Sequence, residues 1–236
     1  MSYSLLSFSN PKIQKSNKVY QDYLTAILHL HPISTKICPY QDIAGCKEAC
    51  LNTAGRGGIM KKGETTNVIQ EARKRKTKLY LEARDIFMSY LVTDITKFVN
   101  YCKKKDKLPC LRLNGTSDIQ WETIKIDDKN IFEMFPDVQF YDYTKIPTRK
   151  VDKHSNYHLT WSYSEANKKY SEYFKTIDYN IAVVFSGDMP IYFKGREVVN
   201  GDETDMRFFD KPNVVVGLKA KGKAKQDSSG FVIHTI

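Results

Sequence analysis

The second half of the chain is a succession of short apolar runs, each closed by a polar cluster. Residues 108–113 lead into Asn114-Gly115-Thr116-Ser117-Asp118, residues 138–141 into Asp142-Tyr143-Thr144-Lys145, and residues 157–161 into Ser162-Tyr163-Ser164-Glu165. Residues 181–185 lead into Ser186-Gly187-Asp188, and residues 214–216 into Gly217-Leu218-Lys219. Short runs of this kind, bounded by turn residues, predict strands. Helical patterns lie between several of them, at residues 128–134 and 164–174. The first half has one strong strand candidate, residues 23–30, after a short apolar segment at 4–8. Residues 42–52 have helical character, ended by Gly55-Arg56-Gly57-Gly58. Residues 66–104 are helical: Leu79, Ala83, Ile86, Phe87, Tyr90, Leu91 and Ile95 recur at three- and four-residue spacing and predict one buried stripe. No glycine or proline interrupts that stretch, so it reads as two helices or one bent helix without a marked boundary.

Strands alternating with helices predict an α/β fold with a mostly parallel sheet, arranged as a partial or complete (β/α) barrel. In such sheets ligands bind at the carboxyl ends of the strands, where these polar clusters fall. A length of 236 residues suits one core, so residues 1–236 are read as a single domain with a mobile basic tail over about 219–229. Residues 231–236 are apolar enough to return to the body. No apolar run approaches the roughly 18 residues that cross a membrane. Residues 1–10 lack a charged leader and a cleavage site. The expectation is a cytoplasmic protein with no membrane partner.

The net charge of +10 suits a polyanionic partner, a nucleic acid or a nucleotide. Arg73, Lys74, Arg75, Lys76 and Lys78 form the candidate nucleic-acid-binding cluster. Two further groups are Lys103, Lys104, Lys105 and Lys107, and Lys219, Lys221, Lys223 and Lys225. Solvated helix faces and tails are the alternative reading of all three.

Three of the five cysteines fall within thirteen residues, at Cys38, Cys46 and Cys50, among polar neighbours such as Gln41, Lys47 and Glu48. Core packing would place them at regular apolar positions. Cys46 and Cys50 are one helical turn apart, which would aim both sulfurs at one ligand. Thiolates bind zinc or iron–sulfur clusters, and buried free thiols are the third possibility. A structural zinc needs a fourth ligand, to be recruited from His29, His31, Cys102 or Cys110. A [4Fe–4S] cluster on three cysteines leaves one iron open, which suits a loop after the first barrel strand. Cys102 and Cys110 read as packing residues.

Other candidates follow from the strand ends. Asp118 is the acid best placed for a ligand amine, against a helix cap. Lys145 suits a carboxylate or phosphate, and Ser162 and Ser164 offer hydroxyls. Asp202, Glu203, Asp205 and Asp210 read as a solvated acidic turn, and His154 with His158 as no helical metal pair.

Cys38-Pro39, Cys46, Ala49-Cys50 and Gly55-Arg56, followed by residues 111–118 and Tyr141-Asp142-Tyr143-Thr144-Lys145, resemble a bacteriophage family, the gene-eighty-eight product family. The resemblance spans residues 23–231. The cysteine segment also resembles phage proteins regarded as radical-SAM-like. That second resemblance implies a three-cysteine loop after the first barrel strand, holding a [4Fe–4S] cluster whose open iron binds S-adenosylmethionine. It also implies that Gly115-Thr116-Ser117-Asp118 stands where a Gly- and acid-containing motif meets the methionine amino group, with Asn114 beside it. The chain departs from the radical-SAM pattern: its cysteines are separated by seven and three residues, Ala49 replaces an aromatic, and the second motif is not Gly-Gly-Glu-Pro. The resulting expectation is an iron–sulfur, radical-SAM-like enzyme of phage type, in the host cytoplasm, acting on a nucleotide or nucleic acid. The alternative is a non-enzymatic, zinc-stabilised nucleic-acid-binding protein in phage replication or host takeover.

Overall fold

The structure, a computed structural model, describes residues 4–8 and 10–235. Met1–Tyr3 and Ser9, at the start of the chain, and Ile236, at its apolar end, lie outside the described residues. Strand β1 (Leu6–Ser7) precedes helix α1 (Pro11–Val19), whose start is set by proline in the first turn and an Asn10 cap. Strand β2 (Tyr23–Leu28) is followed by the long loop that carries the three cysteines. Helices α2 (Val68–Glu82) and α3 (Arg84–Lys104) then lead to β3 (Leu108–Arg112). A small hairpin, β4 (Lys125–Ile126) and β5 (Lys129–Asn130), precedes α4 (Ile131–Met134), which opens on a capping box of Asn130 and Glu133. The remaining elements are β6 (Gln139–Thr144), β7 (Tyr157–Ser162), α5 (Lys168–Glu172), β8 (Ile181–Phe185), β9 (Tyr192–Phe193), β10 (Arg196–Asn200), β11 (Val215–Lys219) and β12 (Val232–Ile233).

One ten-stranded sheet contains every strand except the hairpin, in the order β1-β2-β3-β6-β7-β8-β11-β10-β9, with β12 also on β8. All pairings from β2 through to β10 are parallel, as is β12 on β8. Only the edge strands β1 and β9 run antiparallel. The fold is therefore mixed α/β with a large, mostly parallel sheet. Among the described residues no strand pair joins its two edges.

The two faces of the sheet differ because successive side chains point to opposite sides. Ala26, Leu28, Leu111, Phe140 and Leu159 pack with Phe87, Met88, Leu91, Ile95 and Phe98 of α3 in the main core. On the other face Cys110 and Tyr141 meet Met206, with Tyr20, Tyr23 and Phe208 against them. That face is covered by α1 and residues 204–209, joined where Asp205 N–H donates to Ser16 Oγ at 2.9 Å. A second core under β7, β8 and β11 takes Trp161, Tyr170, Phe174, Ile181 and Val215.

Two local expectations are corrected. Residues 42–52 are not a helix: turns run to Gly45, and a short 3-10 turn spans Leu51–Thr53. Gly45 has φ +63°, outside the right-handed helical region, and a Cβ there would lie 2.6 Å from Ser229 Oγ. Cys46 and Cys50 are therefore set by turns and not by a shared helix face. The predicted stripe also shifts: Phe87, Leu91 and Ile95 are buried, whereas Ile86 is 52% and Tyr90 42% exposed. The helical stretch breaks at Ala83, with φ −143° and ψ 63°, and the stripe of α3 continues through Phe98 and Cys102. No helix among the described residues is long and apolar enough to cross a membrane.

Candidate functional site

The parallel strands deliver their carboxyl ends to one side of the sheet, and the loops that follow them enclose a cavity of about 260 Å³. Cys38, Cys46 and Cys50 line it from the loop after β2. Asn114, Gly115, Thr116 and Asp118 line it from the loop after β3, Lys145 from the end of β6, and Ser162 from the end of β7. Four separate stretches of sequence are thus brought to one space, closed from the far side by Lys219, Lys221, Ala224 and Phe231.

The cysteine loop is held by its own turns. Cys46 N–H donates to Gln41 O at 3.1 Å, and the Cys46 thiol approaches the same carbonyl at 3.8 Å. Cys50 caps the following 3-10 turn, its sulfur accepting Asn52 N–H at 3.4 Å. Arg73 reaches from α2 and donates to Asn52 O and Oδ1 at 3.1 and 2.9 Å, which brings its charge to bear on Cys50. Burial pushes all three thiols up, Cys38 well above its ordinary range and Cys50 to about 11. Asp118 and the other two cysteines add to the rise at Cys38, while the Asp118 backbone N–H opposes it. Lys145 opposes the rise at Cys46. Without a ligand the three are neutral thiols, and a metal would have to replace their protons. Cys102 and Cys110, by contrast, are fully buried away from the cavity, as packing residues are.

The loop after β3 spends its side chains on its own shape. Asn114 Oδ1 accepts from Ser117 Oγ (2.9 Å), Ile119 N (2.9 Å) and Trp121 Nε1 (3.1 Å). Its Nδ2 donates to Ile119 O at 2.9 Å, and its backbone N–H to Asp142 Oδ1 at 2.7 Å. Thr116 Oγ1 donates to Leu30 O at 2.5 Å. Gly115 lies so close to the end of β2 that a Cβ would sit 2.6 Å from Ile27 Cγ2 and 2.7 Å from Leu28 O. Asp118 accepts from Thr144 Oγ1 (2.8 Å), Lys145 N (2.6 Å) and Arg149 Nη1 (3.4 Å). Its backbone N–H donates to Ile37 O at 2.8 Å, which fastens this loop to the cysteine loop. Burial raises the Asp118 carboxyl against the pull of Arg149. A carboxylate offers about four acceptor sites, so three protein donors leave Asp118 room for one more.

Lys145 Nζ donates to Ser162 O at 3.1 Å and Tyr163 O at 3.2 Å and lies 4.2 Å from the Phe231 ring centroid. Two of its three N–H groups are thereby used. Burial lowers this ammonium to about 8.

A family model described as gene product 88 matches residues 4–235. The chain belongs to the gene product 88 family. This is the bacteriophage family that its strand-end and cysteine motifs resemble. No curated protein and no solved structure matches it. In this member of the family, no group of three His, Cys, Asp or Glu among the described residues stands ready to hold a metal ion. A single zinc with sulfur at about 2.3 Å requires thiolates converging on one point. The three cysteines line a shared cavity instead, and a multi-iron cluster, which distributes its cysteines over different irons, demands less convergence.

The basic run on α2 is dispersed. Arg73 turns to the cysteine loop, and Lys76 Nζ donates to Leu5 O at 2.5 Å, with burial lowering its ammonium to about 8. Lys74 pairs with Glu71 at 2.8 Å, Lys78 lies 3.9 Å from Glu82, and Arg75 is exposed. The acidic turn is also dispersed: Asp202 is bound to Lys221, Asp210 pairs with Arg207 at 3.2 Å, and Asp205 is buried against Arg112 at 2.8 Å. His158 lies in β7, as expected of a strand, and His154 contacts Asn130.

Beneath the cavity lie buried charges that the pattern of the sequence does not single out. Arg149, fully buried, holds Glu122 at 2.8 and 2.7 Å and Tyr157 OH at 2.6 Å. Arg112 lines the cavity, stacked 4.6 Å from the Tyr143 ring centroid and paired with Asp205. Its position was available as a signal: a charge inside the apolar run 108–113 needs a buried partner. Arg149 had no such mark, standing in a basic turn beside Lys150.

Proposed function

We propose that the cavity is a cofactor site in which Cys38, Cys46 and Cys50 hold a [4Fe–4S] cluster, in a radical-SAM-like enzyme acting on a nucleotide or nucleic acid. The observation that supports this most is the meeting of three thiols with the ends of β3, β6 and β7 in one cavity. The Asn52 backbone N–H donated to the Cys50 sulfur, with Arg73 near Cys50 and Lys145 near Cys46, suits anionic thiolates. The spatial order β2-β3-β6-β7-β8, in which each strand lies beside its predecessor among the strands of this sheet, supports reading it as the wall of a partial (β/α) barrel.

Held by Cys38, Cys46 and Cys50, such a cluster would supply one-electron reduction of S-adenosylmethionine, the electron coming from an external reductant, so that a carbon–sulfur bond is cleaved and radical chemistry can start on the substrate. The chain's own residues would orient the reactants. The free acceptor site of Asp118, steadied by the Asn114 loop and Gly115-Thr116, would receive the methionine ammonium. The third N–H of Lys145, with the Ser162 hydroxyl, would take a carboxylate or phosphate oxygen. Phe231 and Ala224 on the far wall would limit the entry of water.

The test is S-adenosylmethionine cleavage by anaerobically reconstituted protein with a chemical reductant. Methionine and 5′-deoxyadenosine should form, at a rate reduced ~10-fold or more by Asp118→Asn, which removes a charge-assisted contact. Cys46→Ser should give none. A protein that holds four irons yet cleaves no S-adenosylmethionine would contradict the radical part of the reading.

A further inference from the structure

We infer that the lysine ridge over residues 219–226 binds the phosphodiester backbone of a single-stranded nucleic acid and leads one base into the cavity. The inference rests on the cavity being a reaction site for a nucleotide or nucleic acid, and it names the surface and the strandedness of that substrate. The ridge is built into the fold. It continues β11 through a 3-10 turn, Gly222–Gln226, and buries Ala220 and Ala224 to 8% and 3% exposure beside Ala49 and Val232. Asp202 ties it down by accepting Lys219 N–H at 2.9 Å and binding the Lys221 ammonium. Gly222, at φ +58°, lies against Ala54, where an added Cβ would be at 3.3 Å.

With its backbone fixed, the ridge presents Lys219, Lys221, Lys223 and Lys225 to solvent. Lys221 is matched by Asp202, while Lys219, Lys223 and Lys225 enter no ion pair among the described residues. Lys219 and Lys221 line the cavity, and Lys223 and Lys225 stand just beyond them in the chain. A mononucleotide needs one or two cations at the mouth, whereas four exposed lysines within seven residues match the several phosphates of a strand. Tyr40 and Phe231, both half-buried, line the same cavity, Phe231 with the Lys145 ammonium over its ring, and aromatic rings of this kind are what unstacked bases pack against. A duplex keeps its bases stacked inside, so only a single strand or an extruded nucleotide brings a base there. The helix α2 run, with Arg73 and Lys76 turned inward, is the poorer surface.

Fluorescence anisotropy with labelled single-stranded DNA and RNA of about 12 nucleotides, and with the DNA duplex, tests this between about 50 and 200 mM salt. Either single strand should bind more tightly than the duplex, the tighter of the two naming the source. The variant Lys219→Ala/Lys223→Ala/Lys225→Ala should weaken that binding ~10-fold or more at the low-salt end. It should also reduce the slope of log affinity against log salt by about 2, roughly 0.7 for each phosphate no longer neutralised. Arg75→Ala/Lys78→Ala should leave the slope unchanged. Duplex binding as tight as either single strand, or a reduced slope in the helix variant alone, would overturn the inference. Iron and sulfide content of the ridge variant should match the parent, so failure here and failure of the cluster reading are told apart.

Discussion

Gly115 and Arg149 show how single positions shape the cavity without touching a ligand. A methyl group at Gly115 would press on Ile27 and on the carbonyl of Leu28, at 2.6 and 2.7 Å. Gly115→Ala is therefore expected to cost about 1–3 kcal/mol, read as a lower urea midpoint. An unchanged midpoint would show that the loop after β3 is not packed as described. Arg149→Met leaves Glu122 and Asp118 buried without their cation, and about 3–5 kcal/mol should be lost at neutral pH. Removing the cation takes away the charge that opposes the burial-driven rise of the Asp118 carboxyl, so the variant should recover stability as pH falls and Asp118 protonates. A parallel loss in parent and variant at every pH would contradict this. The cysteines were legible at this scale because Cys38, Cys46 and Cys50 crowd together among polar neighbours, whereas Cys110 stands in an apolar run and Cys102 alone in a helical stretch. Arg149 was not, since nothing in a basic turn announces which residue folds inward.

The decisive element is the loop between β2 and α2, which carries all three cysteines and docks on the C-terminal segment. Ser229 Oγ donates to Gly45 O at 2.9 Å, and Ser164 Oγ to Ala44 O at 2.7 Å. Gly45→Val would combine a strained φ with a clash against Ser229 and Ala166. The docked loop should loosen, and Cys46 and Cys50 should react with a thiol reagent about tenfold faster for each ~1.4 kcal/mol of docking energy removed. An unchanged rate would mean that the docking does not protect them. The interior strands were readable because residues 157–162 and 181–185, among others, are apolar runs between turn signals. Strand β10 was not, because Arg196 and Glu197 open a strand none of whose residues is fully buried, so no apolar run marks it. The loop's turns read as a helix because composition alone does not disclose a left-handed glycine at 45. The break at Ala83 lies between Tyr80 and Phe87, whose rings meet edge to face, a contact that sequence spacing does not encode.

At the scale of the molecule, a seven-strand parallel stretch gathers polar loops at one end and buries charge beneath them. Its pH response follows from groups buried neutral. Burial lowers His158 to about 4, with Arg207 adding to the effect, so the unfolded chain binds more protons than the folded one below the ordinary value of 6.5. Its contribution is fully present above about pH 6.5 and is lost as pH falls toward 4. Asp142, which burial raises to about 7, acts in the opposite direction over the same range. The comparison of parent with His158→Phe isolates the histidine: from about pH 7 to pH 5 the parent should lose ~1–2 kcal/mol more in chemical denaturation. A larger loss in the variant would reverse the sign and contradict the burial of His158.

The central claim is that three thiols of one loop hold one iron–sulfur cluster at the strand ends. Its most direct test is anaerobic purification with visible absorption and with iron, sulfide and zinc content per chain. The account predicts a brown protein with about four irons and matching sulfide. Both should be lost on replacing Cys38, Cys46 or Cys50 by serine and kept on replacing Cys102. Colourless protein carrying one zinc, or protein that takes up no iron after reconstitution, would contradict it.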